Sequence, residues 1–217
     1  MFITLEGIEG SGKSTQISGI AGHMEKLGHT CLVTKEPGGT TVGEQIRAIL
    51  LDPGNTGLDA MAELLLYEAD RAQHVGSVIR PALETGKTVI CDRFADSTIV
   101  YQGAARGIAP ELIENINRMV FGDLEPDITF LLDLSPALGL SRAWRQIETG
   151  LRNRGESRFE QERIRFHEKV RQGYLALAQK EPGRIRIIDA SAPQKDVQAS
   201  IEAELDRLLA NNIKGRL

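Results

Sequence analysis

The chain has 217 residues, 41% hydrophobic and 26% charged, with a formal net charge of −4. That length corresponds to about 1.4 nominal domains, so one domain carrying an insertion is expected, large enough to bury a core without metal or disulfide staples. The composition excludes collagen-like, disordered and membrane-spanning classes, and the acidic balance speaks against a broad nucleic-acid-binding face. Cys31 and Cys91 lie inside apolar runs and read as buried free thiols of a reducing compartment. The opening MFITLEGIEG has no basic segment followed by a long apolar one, so no signal peptide is expected and the location reads as cytoplasmic.

In chain order, Phe2 to Glu6 is a short apolar strand followed by a glycine-rich turn, and Ser14 to Leu27 reads as a helix ended near Gly28. Thr30 to Thr34 is a second strand, closed by the turn Glu36-Pro37-Gly38-Gly39. Thr41 to Leu51 and Ala60 to Glu84 are helical, with Asp52-Pro53-Gly54 between them. Thr88 to Cys91 is a third strand, Ser97 to Phe121 is mainly helical with a break near Gly107, and Ile128 to Leu134 is a fourth strand. Pro136 to Gln146 and Arg158 to Gln179 read as helices, Ile185 to Asp189 as a fifth strand, and Val197 to Leu209 as the closing helix. Five short apolar strands separated by helices predict an α/β fold, a parallel sheet covered on both faces. The segment from about 146 to 161 is polar and rich in arginine, and reads either as a solvated surface loop or as a mobile cover over a charged ligand.

The strongest local signal is Gly7-Ile8-Glu9-Gly10-Ser11-Gly12-Lys13-Ser14, which fits G-x-x-x-x-G-K-[ST] between a strand and a helix. In that pattern backbone N–H groups and the helix N-terminus cradle phosphate oxygens, the lysine reaches the terminal phosphates, and the serine hydroxyl joins the coordination of Mg2+. The dinucleotide alternative fails because glycine is missing at Thr15. Asp92-Arg93-Phe94 follows the third strand, where a carboxylate beside a phosphate loop can serve the metal side and arginine can grip phosphate bidentately. Lys35 to Thr40 follows the second strand, at the edge where open parallel sheets bind ligands, though a turn of purely geometric purpose has the same composition. Tyr67 and Arg71 are four apart and share a helix face, as a base-binding pair or a packed surface pair would. Thr98, Tyr101 and Gln102 make a mixed polar and aromatic face, which helix packing alone would also produce. Arg142, Arg145, Arg152, Arg154 and Arg158 could neutralise a moving phosphoryl group from a hinged cover, with Glu156, Glu160 and Glu162 as balancing charges if the segment is only a surface.

Taken together, LEGIEGSGKST, TKEPGGT, LLYEADRAQH, DRFADSTIVYQG, RGESRFE and IIDAS resemble, in order and spacing, bacterial thymidylate kinases of the nucleoside monophosphate kinase group. The resemblance implies a three-layer P-loop kinase fold over residues 1–217, with a short mobile lid inserted at about 146–161. It implies transfer of the ATP γ-phosphoryl group to dTMP with Mg2+, and a homodimer, with no nucleic acid or membrane as partner. By the same resemblance Gly7 to Thr15 (Gly7, Ile8, Glu9, Gly10, Ser11, Gly12, Lys13, Ser14, Thr15) holds ATP, with Lys13 on the triphosphate and Arg142 near adenine. Glu9 falls near the acceptor 3′-hydroxyl, Ser14 and Asp92 on the metal side, and Arg93 on the acceptor phosphate. Tyr67 stacks on thymine, Arg71 binds a thymine carbonyl, and Thr98 lies near the base edge. Tyr101 crowds the sugar 2′ position, and Glu36 and Gln102 complete the acceptor pocket. Ile8, Glu9 and Ser11 occupy the variable loop sites, which implies the type whose catalytic arginine sits in the lid, at Arg158. Two departures stand out: Lys35 replaces the usual arginine before EPGGT, removing a planar fork, and Tyr67 stands where many members have Phe.

Other readings predict different features. An adenylate, cytidylate or guanylate kinase would share the fold. A GTPase switch would need N-K-x-D and D-x-x-G segments, which the sequence lacks. A nucleotide-organised scaffold would not consume ATP rapidly in response to an acceptor.

Overall fold

The computed structural model describes residues 1–214, with side chains described through residue 210. Five parallel strands form one sheet: β1 (Phe2–Glu6), β2 (Cys31–Lys35), β3 (Thr88–Asp92), β4 (Ile128–Asp133) and β5 (Ile185–Asp189), in the order β2-β3-β1-β4-β5. Position explains composition. The central strand β1 is buried along its whole length and apolar except for Thr4 and Glu6, whereas the edge strands β2 and β5 expose Val33 and Ile187.

Alternation along β1 divides the core. Ile3 and Leu5 point into the larger cluster, with Ile90 of β3 and Phe130 of β4; Phe2 points into a smaller one, with Val89, Cys91, Phe94 and Phe121. Thr4 and Glu6 share the Phe2 face and are buried, so they need polar partners: Thr4 Oγ1 lies 2.7 Å from Thr129 Oγ1. Every strand ends on a charged residue: Glu6, Lys35, Asp92, Asp133 and Asp189. The carboxyl edge of the sheet is therefore a charged rim. The order of strands reverses at β1, which puts the crevice expected of an open parallel sheet directly over that strand.

Helix α1 (Lys13–Lys26) starts at Gly12, whose φ of 95° suits glycine, and α2 (Thr41–Leu51) starts at Thr40, whose side chain accepts from Gly43 N. Asp59 caps α3 (Ala60–His74) by accepting from Met61 N and Ala62 N; a π-helical turn, Val75–Ile79, carries the chain into α4 (Arg80–Glu84). After β3 come α5 (Ala95–Thr98), a second π-helical turn (Ile99–Ala105) and α6 (Pro110–Phe121), so the expected break near Gly107 is present. Proline opens both α6 and α7 (Pro136–Glu148) at the first helical position, where its missing N–H costs no bond. Then follow a 3-10 turn (Arg154–Glu156), α8 (Ile164–Lys180) and α9 (Gln194–Lys214). The boundary that differs most from expectation is the start of α8. The helix predicted from Arg158 begins only at Ile164, because 158–163 is a turn in which Gln161 N bonds Ser157 O and Glu162 N bonds Phe159 O. Among the described residues no helix is long and apolar enough to cross a membrane.

Candidate active site

The P-loop joins β1 to α1. Gly7 and Gly10 have φ of 139° and 69°, and a side chain at Gly10 would strike the Gly139 carbonyl oxygen at 2.1 Å. The loop is thus wedged against the first turns of α7. Lys13 turns its ammonium onto the Gly7 and Ile8 carbonyls, both at 3.0 Å. Burial and the nearby Arg93 push that ammonium down to about 8, against the attraction of Asp92, Glu9 and Glu6. Ser14 Oγ donates to Asp92 Oδ2 at 3.2 Å, so the hydroxyl and the strand-end carboxylate share one spot at the mouth of the loop. A pocket runs from Gly10–Thr15 to Lys35, Asp92, Gln146 and Arg152.

A second pocket adjoins it, walled by Tyr67, Arg71, Thr98, Tyr101, Gln102 and Phe159. Glu9, Glu36, Arg47, Arg93, Arg152 and Glu156 line both, so the two open onto a common boundary. Glu9 is fixed there from three sides. Tyr101 Oη donates to its Oε1 at 2.6 Å, Arg93 Nη2 at 3.1 Å, and His167 Nδ1 lies 3.2 Å from its Oε2. Burial raises the Glu9 carboxyl, but His167, Arg93 and Lys13 outweigh burial and hold it below the usual carboxylate range.

Arg93 is the one non-glycine residue with a positive φ, 70°, among the described residues, a conformation that the surroundings must enforce. Its Nη1 donates to Ser97 Oγ at 3.2 Å and Tyr174 Oη at 3.1 Å, and its Nη2 to Glu9 and to Tyr101 Oη at 3.1 Å. Behind these hydroxyls lies Glu6, fully buried. Burial and Asp96 raise its carboxyl above the ordinary range, while Arg93, Tyr174 and Ser97 pull the other way.

Arg71 is buried in a cage of acceptors. Nε donates to Glu36 Oε2 at 2.8 Å, Nη1 to Glu68 and to Thr98 Oγ1 at 2.9 Å, and Nη2 to the Phe94 carbonyl at 3.2 Å. Burial alone would lower its pKa, yet Glu68 and Glu36 raise it. Four of its five N–H donors therefore have partners among the described residues, and one Nη2 hydrogen has none. Glu36 spends its other oxygen on His74 Nδ1 at 2.9 Å, and Asp70, pushed up to about 6 by burial despite the bond from Gly38 N, holds the glycine turn. Gln102 lines the pocket but gives its amide to Glu63 Oε1 at 2.7 Å.

Two of the residues singled out in the sequence line neither pocket. Arg142 Nη1 donates to the Ala190 carbonyl at 3.0 Å, tying α7 to the loop after β5 and away from both pockets. Arg158, expected over the phosphates, is only 7% exposed and lines neither pocket. Its Nε bonds the Leu50 carbonyl and its Nη1 meets Glu63 Oε2 at 2.7 Å, which locks the 158–163 turn onto α2 and α3. Of the arginines in the segment 146–161, Arg152 lines both pockets and pairs with Glu160 at 2.5 Å, and Arg47 lines both from α2, paired with Glu156 at 2.6 Å. Lys35, in place of the usual arginine, pairs with Glu44 at 2.8 Å and lines the phosphate-side pocket.

His167, Tyr174, Ser97, Glu6 and Arg47 went unnoticed in the sequence. His167 and Tyr174 sit in the buried stripe of α8 with Phe166, Val170 and Leu177. A hydrogen-bonding group inside an apolar stripe was the available signal.

A profile of the thymidylate kinase family matches residues 5–201. The thymidylate kinase of Desulfosudis oleivorans is 53% identical over 208 residues, covering 96% of this chain and 97% of that protein. The thymidylate kinase of Desulforapulum autotrophicum is 54% identical over 215 residues, covering 99% and 95%. The crystal structure of thymidylate kinase from Ehrlichia chaffeensis superposes with a TM-score of 0.74 at 35% identity, covering 94% of this chain and 98% of that one.

Proposed function

The chain belongs to the thymidylate kinase family, and from that premise we propose how its own residues transfer the γ-phosphoryl group of ATP to dTMP, giving dTDP and ADP. The observation that carries the assignment is the shared boundary of the two pockets, where Glu9 and Arg93 face both. Donor and acceptor phosphates bound on either side meet there without a covalent relay. The acceptor phosphate oxygen forms a bond to the γ-phosphorus as the bond to the bridging oxygen of ADP breaks, and preorganised charge does the rest.

On the donor side, the Gly7–Thr15 backbone and Lys13 hold the triphosphate. The close approach of the Ser14 hydroxyl and Asp92 suits Mg2+, a hard cation that takes few protein oxygens and keeps water and phosphate as its other ligands. Bound there, Mg2+ supplies charge neutralisation at the phosphates. Arg142 of α7, which reaches the Ala190 carbonyl in the loop after β5, keeps its proposed place near adenine.

On the acceptor side, Tyr67 offers its ring to thymine, and the one remaining Arg71 hydrogen suits a single carbonyl. Thr98 and Gln102 complete the wall. Glu36 acts through Arg71, since both its oxygens are occupied by Arg71 and His74. Arg93 takes the acceptor phosphate, and Glu9, with the ring of Tyr101, faces the sugar. The Tyr101 hydroxyl also bonds Glu9 and Arg93, so this residue fixes the site as well as narrowing it. For the lid we assign the phosphate-facing charge to Arg152, with Arg158 anchoring the segment.

We further propose that the chain is a single domain with a lid at about 146–161, acts as a homodimer and is cytoplasmic. Met61 and Leu65 on α3 with Leu112 and Met119 on α6 are the exposed apolar side chains on two neighbouring helices and form the candidate dimer face. A panel of nucleoside monophosphates with ATP and Mg2+, followed by diphosphate formation, tests the assignment. dTMP is expected to be the preferred acceptor; preference for a ribonucleotide overturns it.

A further inference from the structure

Arg93 has four of its five N–H donors engaged, and the acceptors are not equivalent. Nη2 meets Glu9 and Tyr101, both lining the acceptor pocket. Nη1 meets the hydroxyls of Ser97, which also lines that pocket, and of Tyr174, which does not, and both bond Glu6 behind them, whose Oε2 lies 2.7 Å from Ser97 Oγ and 2.6 Å from Tyr174 Oη. Glu6 itself is 3.9 Å from Arg93 Nη1, too far for a direct hydrogen bond. Its other oxygen accepts from Phe94 N at 2.9 Å, holding the backbone immediately after Arg93.

We propose that Glu6, through the hydroxyls of Ser97 and Tyr174, is the positioning residue that sets how the Arg93 guanidinium meets the acceptor phosphate. The inference rests on the assignment of Arg93 to that phosphate made above. The reason is donor direction. A hydroxyl has one proton, and a carboxylate only accepts. With Glu6 behind them, both hydroxyls send their protons to Glu6 and turn lone pairs to Arg93. Without it, either proton is free to turn onto Nη1 and oppose a guanidinium donor with another donor. The two hydroxyls use Nη1 fully, as Glu9 and Tyr101 use Nη2, so Nε is the one donor without a partner among the described residues and the one that turns to a phosphate oxygen. The strand end thereby fixes the angle of an arginine whose backbone is itself unusual, at φ 70°.

The experiment compares binding of dTMP with binding of thymidine, its counterpart without the phosphate, in the full-length enzyme. The variants are Tyr174→Phe, Ser97→Ala, the two combined, Ser97→Thr and Glu6→Gln, with Arg93→Ala as reference. Glu6→Gln risks misfolding at a buried site, whereas Tyr174→Phe keeps the ring and removes one oxygen. The combined variant should lose about tenfold of the dTMP-over-thymidine preference, the scale of a hydrogen bond to a charged group. Thymidine affinity should stay at the parental value, and Ser97→Thr should keep the preference. An unchanged preference in the combined variant while Arg93→Ala lowers it overturns the relay. Equal loss for both ligands also overturns it, since that is the signature of a merely structural role. If Arg93→Ala leaves the preference intact, the phosphate assignment of Arg93 fails first and the relay with it.

Discussion

Lys13 shows how far a motif reaches and where it stops. The P-loop pattern named the residue and its task; it said nothing of its titration, which depends on the approach of Arg93 from another strand. Burial and that positive charge hold the ammonium at about 8, so it is charged below that pH and loses its proton above it. The pH profile of kcat/KM for ATP, which reports free-enzyme groups, should fall with an apparent pKa near that value. Lys13→Arg, charged throughout, should lack the descending limb even at a reduced rate. A limb that survives the arginine substitution assigns it to another group. Folding carries the opposite sign. A lysine whose folded pKa is depressed weighs against the folded state below about pH 8, and this penalty fades as pH rises toward the unfolded value of about 10.4. Lys13→Met should therefore melt above the parent at pH 7, with the gap closing by pH 10.

At the scale of elements, the strands were readable because each is a short apolar run between turn residues, and the long helices because their apolar stripes recur. The lid was not. The helix expected from Arg158 starts only at Ile164. In the fold Phe159 instead packs on Tyr101 across 5.3 Å and on Phe166 across 6.1 Å from a turn, which sends Arg158 toward Glu63. The π-helical turn at Ile99–Ala105 was equally invisible, and it buries Tyr101 and Gln102 together where a regular helix was assumed. These placements separate two arginines. Arg158→Ala leaves Glu63 to Arg106 and Gln102 alone and should cost about 1–3 kcal/mol of stability, as loss of a buried polar partner does. Arg152→Ala also takes the ion-pair partner from buried Glu160 and should lower the melting temperature, a loss that the added change Glu160→Gln should reduce, while kcat falls by about 10² with or without that second change, the scale of one preorganised donor. Melts and turnover on both variants decide the matter. Full stability with lost turnover in Arg158→Ala returns the catalytic role to that residue.

For the molecule as a whole, the class of fold followed from the sequence because five buried parallel strands demand helices on both faces. Their order did not, and the order is what matters: with β1 between β3 and β4, Glu6, Asp92 and the P-loop converge on one crevice. Local patterns carry no information about which strands become neighbours, which is why Glu6, Ser97 and Tyr174, remote in sequence, escaped notice.

The wedge between the P-loop and α7 has a consequence for how this chain can change. A methyl group at Gly10 meets the Gly139 carbonyl oxygen at 2.1 Å, and one at Gly139 meets the Glu9 carbonyl oxygen at 2.5 Å. Each collision is with main chain, which every amino acid shares. In an ordinary core a larger residue on one side can be matched by a smaller one opposite, and a drifting lineage can exchange the pair through compensation. Here nothing smaller remains to be offered. When both codons are randomised together and survivors selected for growth on this kinase alone, glycine should return at each position independently, with no correlated pairs. A recurring non-glycine pair among the survivors would show that the two segments can part and still support catalysis.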